Sequence, residues 1–173
     1  MIDRRPTLTG DRLHLRPLHG SDWSALFAVA GDPGIWALHP AHDRWREPVF
    51  RTFFNDAIAG AGALAILDPA TGAIFGSSRS GPHEPERNRI EIGWTFLARS
   101  HWGAGHNREL KRLMLAHILP QVPTVFFTVG ETNLRSRRAL EKIGAVLTDE
   151  VQHRRAAGRD VAHLVYVLHR APD

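Results

Sequence analysis

Glycines at 103 and 105, twelve to fourteen residues after the carboxylate of Glu91, are the residues of this chain whose types and spacing most directly suggest chemistry. The stretch from Glu91 to Leu119 opens with β-type residues (Ile92, Trp94, Phe96), passes Gly103-Ala104-Gly105 and turns helical. In its helical part Leu110, Leu113, Met114 and Ile118 recur at helical spacing, which assigns Arg108, Glu109, Lys111 and Arg112 to the opposite face. Pro120 ends the helix. A strand, a glycine turn and a helix N-terminus, in that order, aim free backbone N–H groups and the positive end of the helix dipole at one spot. A phosphate or pyrophosphate suits that spot. A side chain at either glycine would hold a diphosphate away from the backbone. Two glycines this close also serve as plain turn formers, so both readings stand on these residues alone.

The run Glu91-Ile92-Gly93-Trp94, followed by His101-Trp102-Gly103-Ala104-Gly105-His106-Asn107-Arg108-Glu109, resembles the acyl-CoA-binding segment of the GCN5-related N-acetyltransferases. Within that superfamily it looks most like the ribosomal-protein N-terminal acetyltransferases (the RimJ/RimL-type branch). The resemblance extends from Leu8 to His169 and is strongest between Glu91 and Gly144. One departure stands out. The superfamily's Arg/Gln-x-x-Gly-x-Gly/Ala pattern falls on Ser100-His101-Trp102-Gly103-Ala104-Gly105, so Ser100 replaces the usual first residue. That removes one side-chain contribution and leaves the backbone N–H groups. The resemblance implies acetyl-CoA as co-substrate, held by Phe96, Leu97, Trp102, Gly103, Ala104, Gly105, His106, Asn107 and Arg108, with Asn133 and Arg138 contributing from further along. Trp102 also reads as wall packing.

Acyl transfer from a thioester to an amine requires a neutral amine. A lysine-type ammonium with a pKa of about 10.4 costs about 4–5 kcal/mol to deprotonate at neutral pH, whereas an α-amine costs roughly 1 kcal/mol. A modest general base therefore suffices for an N-terminal amine, and Glu91 is the candidate, with apolar neighbours expected to raise its pKa. The other reading of Glu91 is a strand carboxylate paired with Arg89 or Arg79. The chain has no cysteine, so no acyl-cysteine can form and direct attack in a ternary complex is expected. The leaving thiolate needs a proton. Many relatives use a tyrosine on the last helix, but the only tyrosine here, Tyr166, falls on an expected late strand. The ribosomal-protein branch carries a serine three residues after an asparagine, and Asn133-Leu134-Arg135-Ser136 has that spacing. By that resemblance Ser136 is the candidate acid and Asn133 touches the pantetheine amides. An ordinary first-turn serine and a helix-capping asparagine are the alternatives. Of Arg108, Arg112, Arg135, Arg137 and Arg138, one is expected to meet the 3′-phosphate or an acidic substrate.

The elements that must position these residues follow from local pattern. Strands are expected at Arg12–Leu18, Ala63–Leu67, Ala73–Ser78, Thr124–Val129, Val146–His153 and Val161–Leu168, besides the one from Arg89. Helices are expected from Trp23, capped by Ser21-Asp22; from Glu47 to Ile58, with Ile58 on its apolar stripe; and from Asn133 to Ile143. Gly81 to Pro85 reads as a loop. The order β-α-α-β-β-β-α-β-α-β-β indicates an α/β (α+β) fold. The resemblance implies a mixed, mostly antiparallel central sheet with a splayed strand pair flanked by helices, the pantetheine arm entering the splay. Ile35 to Arg46, rich in histidine and tryptophan, is expected to form the lip of the acceptor site. Its His39-Pro40-Ala41-His42 spacing lacks a second pair of ligands, so no metal is expected.

Composition bounds the rest. A chain of 173 residues, 43% hydrophobic, suits a single acetyltransferase domain over residues 1–173. No apolar run suits a membrane span or a signal peptide, and a cytoplasmic location is expected. The excess of 22 basic over 18 acidic residues is carried almost wholly by scattered arginine, so no nucleic-acid partner is expected. The partners are acetyl-CoA and an amine acceptor, a peptide N-terminus or a small molecule. A non-catalytic acyl-CoA sensor is the alternative, and a homodimer is left open.

Overall fold

The computed structural model describes residues 2–171; Met1, Pro172 and Asp173, within the expected domain, lie outside the described residues. The chain runs β1 (Leu8–Thr9), β2 (His14–Pro17), α1 (Trp23–Ala30), α2 (Pro33–Trp36), α3 (Glu47–Ala59), β3 (Ala63–Leu67), β4 (Ile74–Glu84), β5 (Arg89–Leu97), α4 (His106–Ile118), β6 (Thr124–Gly130), α5 (Leu134–Lys142), β7 (Val146–Ala156) and β8 (Arg159–His169). The strands form one eight-stranded sheet in the order β1-β2-β3-β4-β5-β6-β8-β7. Every neighbouring pair is antiparallel except β5 and β6. That exception follows from α4, since a helical crossover returns the chain to the same end of the sheet.

Period-two alternation divides the strands' side chains between two cores. Ile90, Ile92, Val125 and Phe127 face α4 and α5, where Leu110, Met114, Ile118 and Leu140 close over them. Phe96, Ala63 and Ala65 face the other way, towards Trp36 and the α3 side chains Phe50, Phe53 and Phe54. Burial of each of the larger apolar side chains contributes about 1.5–3 kcal/mol. Among the described residues, no helix is long and apolar enough to cross a membrane.

Several local expectations are corrected. β1 and the single turn α2 are too short to leave a periodic signal; Asp32 starts α2 by accepting the Gly34 N–H at 2.9 Å. β4 continues through the expected loop at Gly81–Pro85 as far as Glu84, because β5 supplies partners there. Asp22 does not cap α1; its carboxylate is taken by Arg16, at 2.8 Å, and by the His19 N–H. Ile58 is 38% exposed. On α4, Glu109 and Lys111 are buried and do not lie on the solvent face. The Glu109 carboxylate accepts the N–H groups of Asp11, at 2.6 Å, and Arg12, at 3.1 Å, and so pins the β1–β2 turn.

The sheet parts at its parallel pair. β5 and β6 are in register only at Arg89 with Thr124, Ile90 with Val125 and Glu91 with Phe126. Beyond Glu91, β5 bulges: Arg79 opposes Gly93 but Ser77 opposes Phe96, and Trp94 takes φ +52°. A bulge bends its strand and increases its twist. β6 meanwhile follows β8 as far as Gly130 opposite His163. The result is a fork that opens towards the C-terminal ends of both strands.

Candidate active site

Because α4 begins where β5 ends, its N-terminus lies at the open end of the fork. Gly103 and Gly105 adopt φ +76° and +85°, a region costly for any residue with a Cβ. His101 and Trp102 donate their N–H groups to Ala98 and Arg99, and the helix ladder starts with Glu109 donating to Gly105 at 3.0 Å. Between them, the N–H groups of residues 103 to 108 find no acceptor among the described residues, and no side chain caps Gly105. Glu109, the first-turn acid, is already spent on the β1–β2 turn, so among the described residues no carboxylate caps this helix end. A Cβ at Gly103 would meet open space. The donor set and the space both fit a diphosphate. Two further groups attend the turn. Arg12 brings its Nε within 3.6 Å of where a Gly105 Cβ would stand. The His106 Nδ1 is buried without a partner, its ring edge-on to both Phe75 and His101.

Glu91 is the last β5 residue paired with β6, on the face opposite α4, and is buried. Its carboxylate accepts the Thr128 hydroxyl and meets the Arg154 guanidinium at 3.1 and 3.2 Å. The expected partners Arg89 and Arg79 are not used. Arg89 instead holds Glu84, at 2.7 Å, and Glu150, at 2.9 and 3.0 Å, keeping the Glu150 carboxyl down at about 2. Glu91 therefore sits in a polar pocket, where the sequence suggested bare apolar neighbours.

Burial pushes two histidines of this region towards the uncharged form. Burial, reinforced by the charge of Arg44, pushes His39 down to about 3; its Nδ1 accepts the Ala41 N–H at 2.9 Å. Burial also lowers His163, opposite Gly130 on β8. Pro40 packs so closely on Gly130 that no side chain fits there, which seats the 35–46 segment against β6. That segment and the β7–β8 turn border an open hollow of about 400 Å³ lined by His39, Pro40, His42, Thr132 and Val161. A second hollow, near Leu18 and Ala57, is lined by none of these residues. Among the described residues no cluster could hold a metal ion.

On the other face Lys111 reaches into the fork. Its Nζ donates to Thr95 Oγ1 at 2.7 Å and lies 5.6 Å from the Phe127 ring, touching both arms just past their last pairing. Burial without a carboxylate pushes this amine down to about 7.

The structure gathers Phe96, Leu97 and residues 102 to 108 along the donor side of the fork. Phe96 turns its ring into the α3 core, and the Leu97 carbonyl is occupied by Trp102 Nε1 at 3.0 Å. Trp102 itself is wall, half-buried beneath the Arg135 guanidinium at 3.8 Å. Asn133 is buried and caps α5, accepting the Ser136 N–H at 3.3 Å. The Ser136 hydroxyl is half-buried without a hydrogen-bond partner among the described residues, and it makes no contact with Glu91. Tyr166 is committed elsewhere, donating to Glu141 and accepting from Arg137. Arg108 and Arg138 are exposed and unpaired among the described residues. Thr128, Arg154, His163, Arg44, Arg79, Lys111 and Arg12 were not identified as site residues from sequence. Thr128 joins Glu91 because Phe126, two residues before it, is in register with Glu91 across β5 and β6.

A sequence profile of the GNAT acetyltransferase domain matches residues 12–146. A search of curated proteins finds no match. Among solved structures, a provisionally described acetyltransferase from T. thermophilus is 28% identical with a TM-score of 0.80, over 98% of this chain and 92% of that one. A provisionally described ribosomal-protein-serine acetyltransferase from Vibrio cholerae is 16% identical (TM-score 0.72; 98% and 100% covered). The spermidine N-acetyltransferase of Vibrio cholerae, solved with CoA and spermine, is 17% identical (TM-score 0.69; 92% and 96% covered). At those last two identities the likeness is one of fold. With the profile spanning most of the sheet, the fork and the glycine turn, the chain belongs to the GNAT acetyltransferase family and is an N-acetyltransferase.

Proposed function

We propose that the protein, as one domain over residues 1–173, transfers an acetyl group from acetyl-CoA to a primary amine by direct attack within a ternary complex. The observation that carries this reading is the row of unspent N–H groups from Gly103 to Arg108 at the mouth of the fork. Bound acetyl-CoA supplies an acyl group activated as a thioester. The chain supplies the rest. The turn holds the diphosphate, with Arg12, Arg108 or Arg138 within the donor region for the remaining phosphate. Phe96 and Leu97 border the pantetheine arm, and Asn133 meets its amides while keeping its cap. Glu91, oriented by Thr128 and Arg154, takes the proton that the ammonium must lose. The amine nitrogen then forms the N–C bond as the C–S bond breaks; the Ser136 hydroxyl, at a helix N-terminus, protonates the departing thiolate and is restored by the second proton that the nitrogen sheds. For the CoA-binding half of the chain, the Asn133–Ser136 spacing and the fold likeness to the Vibrio ribosomal-protein-serine acetyltransferase support the ribosomal-protein N-terminal acetyltransferase-like branch.

Calorimetric titration with acetyl-CoA, followed by thiol release against a panel of amines and N-terminal peptides, tests the reading. Saturable binding and amine-dependent release are expected. Binding without release from any amine would instead identify a sensor, and no binding would overturn the donor site.

A further inference from the structure

The acceptor face of the fork carries more positive charge than it pairs. Arg44 lays its guanidinium over Phe53, 4.4 Å from the ring centre, and over Trp36 at 5.2 Å. Arg79 lies over the same Phe53 at 5.3 Å and over Trp94 at 4.9 Å. Aromatic stacking occupies the faces of a guanidinium and leaves its edge, where the N–H groups point. Arg79 gives one of these to the Phe53 carbonyl at 3.2 Å, and its Nε is buried with no acceptor. The Arg44 side chain donates to nothing among the described residues, and neither arginine has an ion pair there.

The surroundings do not cancel the charge. Burial, with Arg79 adding to it, pushes Arg44 down to about 10, and Asp43 opposes this only in part. Arg154 is already spent on Glu91. Asp56 and Glu91 act on Arg79 in the same partial way, yet none of these carboxylates is within ion-pairing distance of either arginine, and two half-buried cations held side by side without an ion pair work against folding. Their free edges, however, match the in-plane, two-point recognition of a carboxylate or phosphate.

Arg79 opposes Gly93, two residues past Glu91, and Trp94 beneath it forms the bulge that opens the fork. An amine delivered to Glu91 therefore brings whatever lies a few bonds away towards these two guanidiniums.

We propose that Arg44 and Arg79 form an anion subsite within the acceptor site, so that the acceptor is a small primary amine bearing a carboxylate or phosphate, and not a polyamine. The proposal rests on the acetyl-to-amine reading above.

Matched acceptors test it in thiol-release assays on the full chain. These are an α-amino acid with its carboxamide, an aminoalkyl phosphate with its aminoalcohol, and spermidine as the cationic control. The anionic member of at least one pair should show a kcat/KM at least about tenfold above its neutral partner, with spermidine lowest. The pair that shows the larger ratio tells carboxylate from phosphate. Arg44→Gln and, separately, Arg79→Gln should bring that ratio towards one, chiefly through KM. Should Arg79→Gln fail to fold for want of its bond to Phe53, Arg44→Gln, which loses no hydrogen bond, decides alone. Equal turnover of charged and neutral partners, or a ratio untouched by Arg44→Gln, overturns the subsite and leaves acetyl transfer standing. Absence of turnover with every amine, while acetyl-CoA still binds by calorimetry, overturns the acetyl-transfer reading and the subsite with it.

Discussion

On the donor side of the fork, six consecutive N–H groups come from one short stretch of chain, residues 103 to 108. On the acceptor side, Glu91, Thr128, Arg154, Arg79 and Arg44 come from four different strands and a loop. Under the proposed reading, recognition on the donor side runs through backbone, so it depends on conformation and needs only glycine and a helix start. Recognition on the acceptor side would run through side chains, so it depends on which distant segments the sheet brings together. The first arrangement should tolerate change in most side chains, Ser100 among them. The second can be retuned by single substitutions.

If that division is right, substitutions should disable one side and spare the other. Glu91→Gln should lower kcat/KM by about 10²–10⁴-fold while the acetyl-CoA Kd measured by calorimetry stays within about twofold. Retention of the full rate would remove Glu91 as the base.

Lys111 gives the next largest effect, on stability. Its folded-state pKa of about 7 lies below that of the unfolded chain. Below pH 7 both states hold the proton and the buried charge destabilises the fold. Between about pH 7 and 10.4 only the unfolded chain holds it, so stability rises with pH by up to about 1.4 kcal/mol per pH unit. Urea unfolding should show Lys111→Met roughly 4–5 kcal/mol more stable than the parent at pH 6, the difference closing towards pH 10. A difference independent of pH would mean that the amine is not desolvated.

Gly105→Val places a branched side chain at φ +85°. It should weaken acetyl-CoA binding about tenfold through roughly 1–2 kcal/mol of backbone strain, with the ranking of acceptors unchanged. The smallest effect is expected from Asn133→Ala, which removes the α5 cap and should cost about 1 kcal/mol in thermal or urea unfolding. A larger loss of donor affinity than of stability would show that Asn133 also touches the ligand.

Legibility followed the same division. The buried-type β run Thr124–Val129, the helical spacing of Leu110, Leu113, Met114 and Ile118, and the glycines at 103 and 105 are local signals, and each element formed where they pointed. Failures came where a distant partner overrode a local pattern. Glu109 and Lys111 look like solvent residues in the helix periodicity. One is buried to hold a turn nearly a hundred residues earlier, the other to fill the parting of two strands. Gly81 to Pro85 looks like a loop, yet pairing with β5 keeps it extended. The sequence singles out Glu91 as a candidate base but gives Arg89 or Arg79 as its partner, not Arg154, because β7 and β5 are not sheet neighbours and no spacing rule connects them.

The sequence by itself determined the strand–turn–helix unit and with it a backbone fit for a diphosphate, because turn conformation and helix direction are settled by residues within a few positions of one another. Only the tertiary structure decided which carboxylate is held by which arginine, that two guanidiniums share one phenylalanine, and that a lysine lies at the parting of the sheet. Those are contacts between segments far apart in the chain, and their geometry exists only once the strand order and the bulge at Trp94 have set the distances.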